Sequence, residues 1–168
     1  PALLVALRPR QWVKNLLVFA APLFAFVSDP GGLLRVGGSF VAFCALSSAV
    51  YLLNDWFDLA QDRLHPTKRR RPLASGQIST SATILTAILL SIGGLGLASR
   101  ISGPLVLVLL AYILIQLAYN LILKRVLILD IMSIALGFVL RAVAGGVAAL
   151  VGLSPWFLFC VALLAFYV

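Results

Sequence analysis

Long apolar runs dominate this chain and restrict the folds open to it. Segments rich in Gly, Pro and Ser at 28–32, 103–104 and 154–155 divide the sequence into about six runs, each near the roughly 20 residues that a membrane-crossing helix needs. Only 11% of the residues are charged, whereas soluble domains carry about 25%. The runs lack the apolar/polar alternation of membrane β-strands. The sequence therefore predicts an all-α integral membrane protein with a single domain, 1–168.

The six predicted spans follow from the positions of these breaks. Their approximate bounds are Gln11–Val27, Leu33–Asn54, Ser81–Ser99, Gly103–Leu123, Leu127–Val151 and a sixth run that begins at Ser154-Pro155. The sixth run, which ends in LFCVALLAFYV, is still apolar at the final residue. We therefore expect a C-terminally truncated piece of a longer protein.

The basic residues predict the orientation in the membrane. Ten of the 13 Lys and Arg residues fall in the N-terminal segment and in two loops on one side of the predicted bundle. Only Arg35 and Arg100 fall on the other side, and Arg141 lies within the fifth span. Because cytoplasmic loops are enriched in Lys and Arg, we expect the N-terminus and the polar loops to face the cytoplasm of a cell (inner) membrane. The net charge of +8 then reflects topology and an anionic ligand, and nucleic acid is not an expected partner.

The string NDWFDLAQD at the end of the second span contains Asn54, Asp55, Asp58 and Asp62, three of the five acidic residues of the chain. On a continuous helix these four side chains would share one face about 100° wide. Such crowding is unfavourable unless a positive group binds, and oxygen-only ligands favour Mg²⁺. The alternative is a solvated acidic helix end.

A basic loop, LHPTKRRRPLASGQIS, follows the acidic string. Beside a Mg²⁺ site, Lys and Arg can neutralise a diphosphate, and we assign this role to Lys68 and Arg71. Arg69 and Arg70 are expected to face water or lipid headgroups. Taken alone, the loop could serve only to keep this side of the protein in the cytoplasm.

Three further sites carry charge close to or within the apolar runs. Lys14 either reaches towards water or contacts the same anionic ligand. Tyr119, Lys124, Arg125 and Asp130 cluster around the connection between the fourth and fifth spans. Arg141 lies near the middle of the fifth span, where an arginine costs at least about 2.5–3.5 kcal/mol, so it must face a polar cavity or a structural partner.

The strings NDxxDxxxD (Asn54–Asp62) and HPTKRRRPLASGQIS (His65–Ser79) resemble the UbiA superfamily of intramembrane prenyltransferases. The segments Arg8–Phe26 and Tyr119–Ala148 are similar to its branch that transfers phosphoribosyl groups. The resemblance implies a nine-helix bundle, of which about six spans are present. It also implies Mg²⁺-dependent transfer from 5-phosphoribosyl diphosphate to polyprenyl (decaprenyl) phosphate for arabinan cell-wall synthesis.

The same resemblance implies roles for individual residues. Asn54, Asp58 and Asp62 would hold the metal, with Asp55, Asp58 and Asp62 as the catalytic acids. The phosphates and ribose would be contacted by residues from four segments: Lys14, Tyr51, Lys68, Arg71, Tyr119, Lys124 and Arg141. Transfer of an isoprenyl group to an aromatic acceptor is the nearest alternative, and a non-catalytic transporter or scaffold is the second. Membrane lipids are the other expected partners, and a homo-oligomer is left open.

Overall fold

The computed structural model describes residues 2–121 and 127–167, with the side chains of Leu127, Ile128, Asp130 and Tyr167 outside that description. Every regular element within these ranges is helical, which confirms the predicted all-α class. In chain order they are α1 (Ala2–Ala6), a long 3₁₀ helix (Pro9–Phe19), α2 (Ala20–Phe24), α3 (Pro30–Phe57), α4 (Leu59–Leu64), a short 3₁₀ turn (Lys68–Arg70), α5 (Thr80–Ile101), α6 (Gly103–Leu121), α7 (Leu127–Ala149) and α8 (Pro155–Tyr167).

Four helices of the described chain, α3, α5, α6 and α7, are long and apolar enough to cross a membrane. They correspond to the second to fifth predicted spans, and the sixth is the shorter apolar helix α8. The first predicted span is divided between the long 3₁₀ helix and α2. A 3₁₀ helix rises about 2.0 Å per residue against 1.5 Å for an α-helix, so this short run extends further than its length suggests.

Helix α3 is the central element of the bundle. It packs against α1, the long 3₁₀ helix, α5, α6 and α7, whereas α5 and α6 leave most of their apolar surface exposed to lipid. The side chain of Asp29 caps α3 by accepting a hydrogen bond from the Gly32 amide at 2.6 Å, and Pro30 occupies the first turn. Because α5, α6 and α7 alternate in direction, the C-terminus of α3 lies with the N-terminus of α5. We call this the site end of the bundle.

Helix α7 contacts the long 3₁₀ helix at Gly145. A Cβ atom at this position would overlap the carbonyl oxygen of Val18, which is a backbone atom and cannot rotate away. The glycine therefore allows two backbones to approach closely, as small residues do between membrane helices.

Gly145→Ala is accordingly expected to force the two helices apart and to destabilise the protein by at least about 1–3 kcal/mol. Thermal unfolding of the purified protein in detergent measures this effect. Gly93→Ala is the matched control, because a Cβ atom there meets nothing within 4 Å. Equal melting temperatures for the two variants would contradict the role of Gly145.

Candidate active site

The acidic string lies at the junction of α3 and α4. Asp55 and Asp62 are buried, whereas Asn54 and Asp58 are half-buried. The expected continuous helix is interrupted at Asp58, which ends α3 and leaves α-helical geometry at φ −90° and ψ 4°. Its backbone still connects the two helices, because its amide donates to the Asn54 carbonyl at 3.0 Å and its carbonyl accepts from the Asp62 amide at 2.8 Å.

Two arginines bind the buried carboxylates. Arg71 donates to Asp62 at 2.6 Å and to Asp55 at 3.2 Å, and Arg8 donates to the same oxygen of Asp55 at 2.5 Å. The basic loop is therefore held against the end of α3 by ion pairs. Asp55 and Asp62 have arginine counter-ions, and the half-buried pair Asn54 and Asp58 lies beside them.

Removing one partner from this network should be costly, since a buried carboxylate left without its cation is strongly unfavourable. Asp55 is only 4% exposed, so Arg71→Gln is expected to destabilise the protein by roughly 3 kcal/mol. Asp55→Asn should cost less when Arg71 is already glutamine. A double-mutant cycle followed by thermal unfolding measures this coupling. Additive losses would show that the two side chains do not stabilise each other.

The other predicted ligand-binding residues lie at different distances from this network. Tyr51 lies one turn before Asp55, and the Arg8 guanidinium stacks over its ring at 5.0 Å from the centroid. Lys68 is exposed on the short 3₁₀ turn, and Tyr119 is half-buried near the end of α6. Lys124, with Arg125, lies outside the described residues.

Arg141 occupies a polar environment in the middle of the bundle. Its side chain donates to Asn15 Oδ1 at 2.8 Å, to the Gly137 carbonyl at 2.7 Å and to the Tyr112 hydroxyl at 3.3 Å. Its guanidinium also lies 5.0–5.7 Å from the ring centroids of Phe43, Tyr112 and Phe138. These partners are all neutral, so a paired acid is not found for Arg141 among the side chains that the structure describes.

Asn15 organises this environment. It is fully buried, and its amide nitrogen donates to Ser47 at 3.1 Å and to the Cys44 sulfur at 3.4 Å. It thereby connects the long 3₁₀ helix to both α3 and α7. Lys14, the neighbouring residue, is exposed but lies close enough to Arg141 for their like charges to repel each other. Such a concentration of positive charge is favourable once an anion binds.

The sequence prediction did not assign roles to Arg8 and Asn15. Their signals were indirect: a buried acid such as Asp55 needs a counter-ion, and a lone amide within an apolar run needs a hydrogen-bonding partner.

The donor set fits Mg²⁺ only in part. No three His, Cys, Asp or Glu side chains in the described ranges lie close enough to hold a metal ion. Asn54 and Asp58 supply oxygen ligands one turn apart, whereas the Asp62 carboxylate already binds Arg71. Mg²⁺ commonly takes only one or two protein carboxylates and completes its coordination with phosphate oxygens and water. The residues therefore fit an ion that arrives with a phosphorylated ligand.

Apolar helices exposed to lipid, with a buried arginine and an acidic–basic network at one end, define a helical integral membrane protein whose polar chemistry lies at that end. Comparison with known families specifies it further. The UbiA prenyltransferase family matches residues 16–168, and the chain belongs to this family.

Characterised relatives and solved structures agree with this assignment. The chain is 44% identical over 165 residues to the decaprenyl-phosphate phosphoribosyltransferase of Mycolicibacterium smegmatis, covering 95% of this chain and 52% of the relative. It is also 44% identical over 158 residues to the enzyme of the same name from Corynebacterium glutamicum, covering 91% and 48%. The chain thus spans about half the length of these relatives. A UbiA homolog from Archaeoglobus fulgidus, solved with DMAPP and Mg²⁺, has the same fold, with a TM-score of 0.87 at 23% identity over 99% of this chain and 60% of that one.

Proposed function

We propose that this chain carries the metal- and donor-binding part of a phosphoribosyltransferase in the cell (inner) membrane, with the site end in the cytoplasm. The reaction moves a phosphoribosyl group from 5-phosphoribosyl diphosphate to polyprenyl phosphate and releases diphosphate, for arabinan cell-wall precursor synthesis. The observation that carries the proposal is the 44% identity to two relatives that bear the name decaprenyl-phosphate phosphoribosyltransferase. The cations at the site end support an anionic donor of this kind.

The half-buried pair Asn54 and Asp58 would hold Mg²⁺ in this proposal. Bound there, the ion would neutralise charge on the departing diphosphate. We assign Asp55 and Asp62 a different part, which is to hold Arg8 and Arg71 towards the donor. Arg71 is fixed by two carboxylates at 2.6 and 3.2 Å, so little side-chain entropy is lost when it binds a phosphate.

The remaining cations would bind the donor from several sides. Lys14 and Arg141 supply positive charge from within the bundle, and Lys68 supplies it from the loop, with Lys124 as a further predicted contact. Tyr51 and Tyr119 would donate hydrogen bonds to phosphate or ribose oxygens. Together these groups stabilise the negative charge that grows on diphosphate as it leaves.

The transfer itself exchanges one bond for another at the ribosyl C1 atom. The bond from C1 to the diphosphate oxygen breaks with its electron pair remaining on diphosphate, and C1 acquires oxocarbenium character, as in other glycosyl transfers. An oxygen of the acceptor phosphate then forms the new bond to C1. The acceptor is already ionised, so this step needs no general base.

The test offers full-length protein, purified and placed in phosphatidylcholine vesicles with polyprenyl phosphate, two different donors. One is 5-phosphoribosyl diphosphate and the other is an allylic diphosphate with an aromatic acceptor, each with Mg²⁺ and with a chelator. Mass spectrometry of the lipid extract is expected to show polyprenyl phosphoribose only with the first donor and Mg²⁺.

Two other outcomes would overturn the proposal. A prenylated aromatic product would assign the chain to the prenyltransferase branch, which the Archaeoglobus fulgidus homolog solved with DMAPP makes the nearest competitor. No product from either donor, with or without Mg²⁺, would favour a transporter or scaffold.

A further inference from the structure

Two adjoining cavities open at the site end beside α1. The first, of about 330 Å³, lies between α1 and the basic loop, and its lining includes Val5, Arg8, Asp55, Thr67, Arg70 and Arg71. The second, of about 620 Å³, shares Val5 and Arg8 with the first and adds Leu4, Arg10 and Gln11. Asn54 and Asp58 line neither cavity, so this surface differs from the proposed metal site.

The first cavity has an excess of positive charge. Three arginines line it against one carboxylate, that of Asp55. Arg8 and Arg71 are oriented by ion pairs to Asp55, through one terminal nitrogen of each guanidinium. Each guanidinium has five N–H donors in a planar fork that matches the oxygens of a phosphate group, so further donors are positioned at the cavity.

An apolar surface adjoins these cations. Helix α1 buries Ala6 against Ala49 and Leu52 of α3, and it exposes Leu4 and Val5, which are 57% and 65% accessible. These exposed side chains line the cavities together with the arginines. A ligand that fills both cavities must therefore carry an anionic head and a hydrocarbon body.

We propose that the arginine-lined cavities bind the phosphate headgroup of a membrane lipid, with the start of its hydrocarbon chain lying along Leu4 and Val5. The bilayer supplies such molecules at this depth, because α1 lies at the membrane-surface end of α3. A free inorganic phosphate would use the arginines but would leave the apolar surface exposed. This binding does not depend on the transfer reaction, and it stands if the donor proves to be a different diphosphate.

Binding can be measured by native mass spectrometry of the purified protein with dioleoyl phosphatidic acid added against an excess of dioleoyl phosphatidylcholine. Arg70→Gln is expected to lower the affinity for phosphatidic acid at least about fivefold more than Arg69→Gln does. A nearby positive charge attracts an anionic membrane by about 1 kcal/mol in general, which both variants remove. Only Arg70 lines the cavity, although Arg69 has the same charge and an exposed position in the same turn.

Three results would overturn the proposal. Equal losses in the two variants would show only diffuse attraction of the basic loop to anionic lipid. Displacement of phosphatidic acid by excess inorganic phosphate would assign the site to a free anion, and equal binding of phosphatidylcholine would remove the headgroup selectivity.

A second pair of variants keeps the test decisive if Arg70→Gln fails to fold. Val5→Asp places a carboxylate at the cavity and is expected to abolish selective binding of phosphatidic acid, because like charges repel. Leu3→Asp makes the same change on the same helix, at an exposed position that lines neither cavity, and should leave binding intact. Unchanged binding in Val5→Asp would exclude the cavities as the lipid site.

Discussion

Replacing Asp58 by asparagine in the full-length protein is expected to lower turnover at least about 100-fold while the protein still inserts into the membrane. Substitution of groups that only support a metal ligand typically costs 10–100-fold, so the loss of a direct carboxylate ligand should cost more. Asparagine has nearly the same size as aspartate, and Asp58 is half-buried at the end of α3, so packing should change little. Diphosphate release, measured over a range of Mg²⁺ concentrations, reports the effect.

Asp29→Asn is the matched control for this substitution. Asp29 caps the other end of α3, and asparagine is as good an N-cap as aspartate, so turnover and stability should both be retained. Because Asp58 also has contacts of its own, Asn54→Ala provides an independent variant, which should raise the Mg²⁺ concentration needed for half-maximal activity. Unchanged turnover in Asp58→Asn, or unchanged Mg²⁺ dependence in both variants, would remove this pair from the metal site.

Local patterns in the sequence were sufficient to predict the helices and the position of the polar end. The apolar run of α3 ends in three acids and a basic loop, and both features can be recognised without knowing any contact. The interruption at Asp58 could not be predicted in this way. A continuous helix would satisfy the same spacing, and the ion pairs that hold α4 and the loop against α3 form only in the folded bundle.

Contacts between distant parts of the chain account for the rest of the site. Arg8 binds Asp55 from 47 residues away, and Asn15 accepts a hydrogen bond from Arg141 across 126 residues. The bias of positive charges predicts the side of the membrane on which Arg8 lies, but it does not select a partner. Burial of Asn15 depends on the close approach at Gly145, which is a property of helix packing. The sequence therefore indicated that Arg141 needs partners without identifying them.

Arg141→Met is expected to weaken donor binding roughly 10- to 100-fold and to change thermal stability much less. A hydrogen bond to a charged group contributes about 1.5–3 kcal/mol, which corresponds to this range of affinity. In the protein, the substitution leaves Asn15 and Tyr112 with unmatched polar atoms, at about 1–3 kcal/mol. It also removes a charge whose placement in a membrane costs about 2.5–3.5 kcal/mol, so the two effects on stability largely cancel. Donor binding is measured as KM together with kcat, and stability as the melting temperature in detergent.

Arg35 offers a matched control for Arg141. It also bonds to α7, through the carbonyl of Ala148 at 3.0 Å, but it lies towards the opposite end of the bundle, so Arg35→Met should leave the KM unchanged. Arg141→Lys keeps the charge and loses the planar fork, and it should recover part of the affinity for the donor. A purely structural arginine would behave differently: Met and Lys would both lower the melting temperature, and the protein that remained folded would bind donor normally. The burial of Arg141 among neutral partners favours the first result, because a cation without a described counter-ion is stabilised when an anionic donor supplies one.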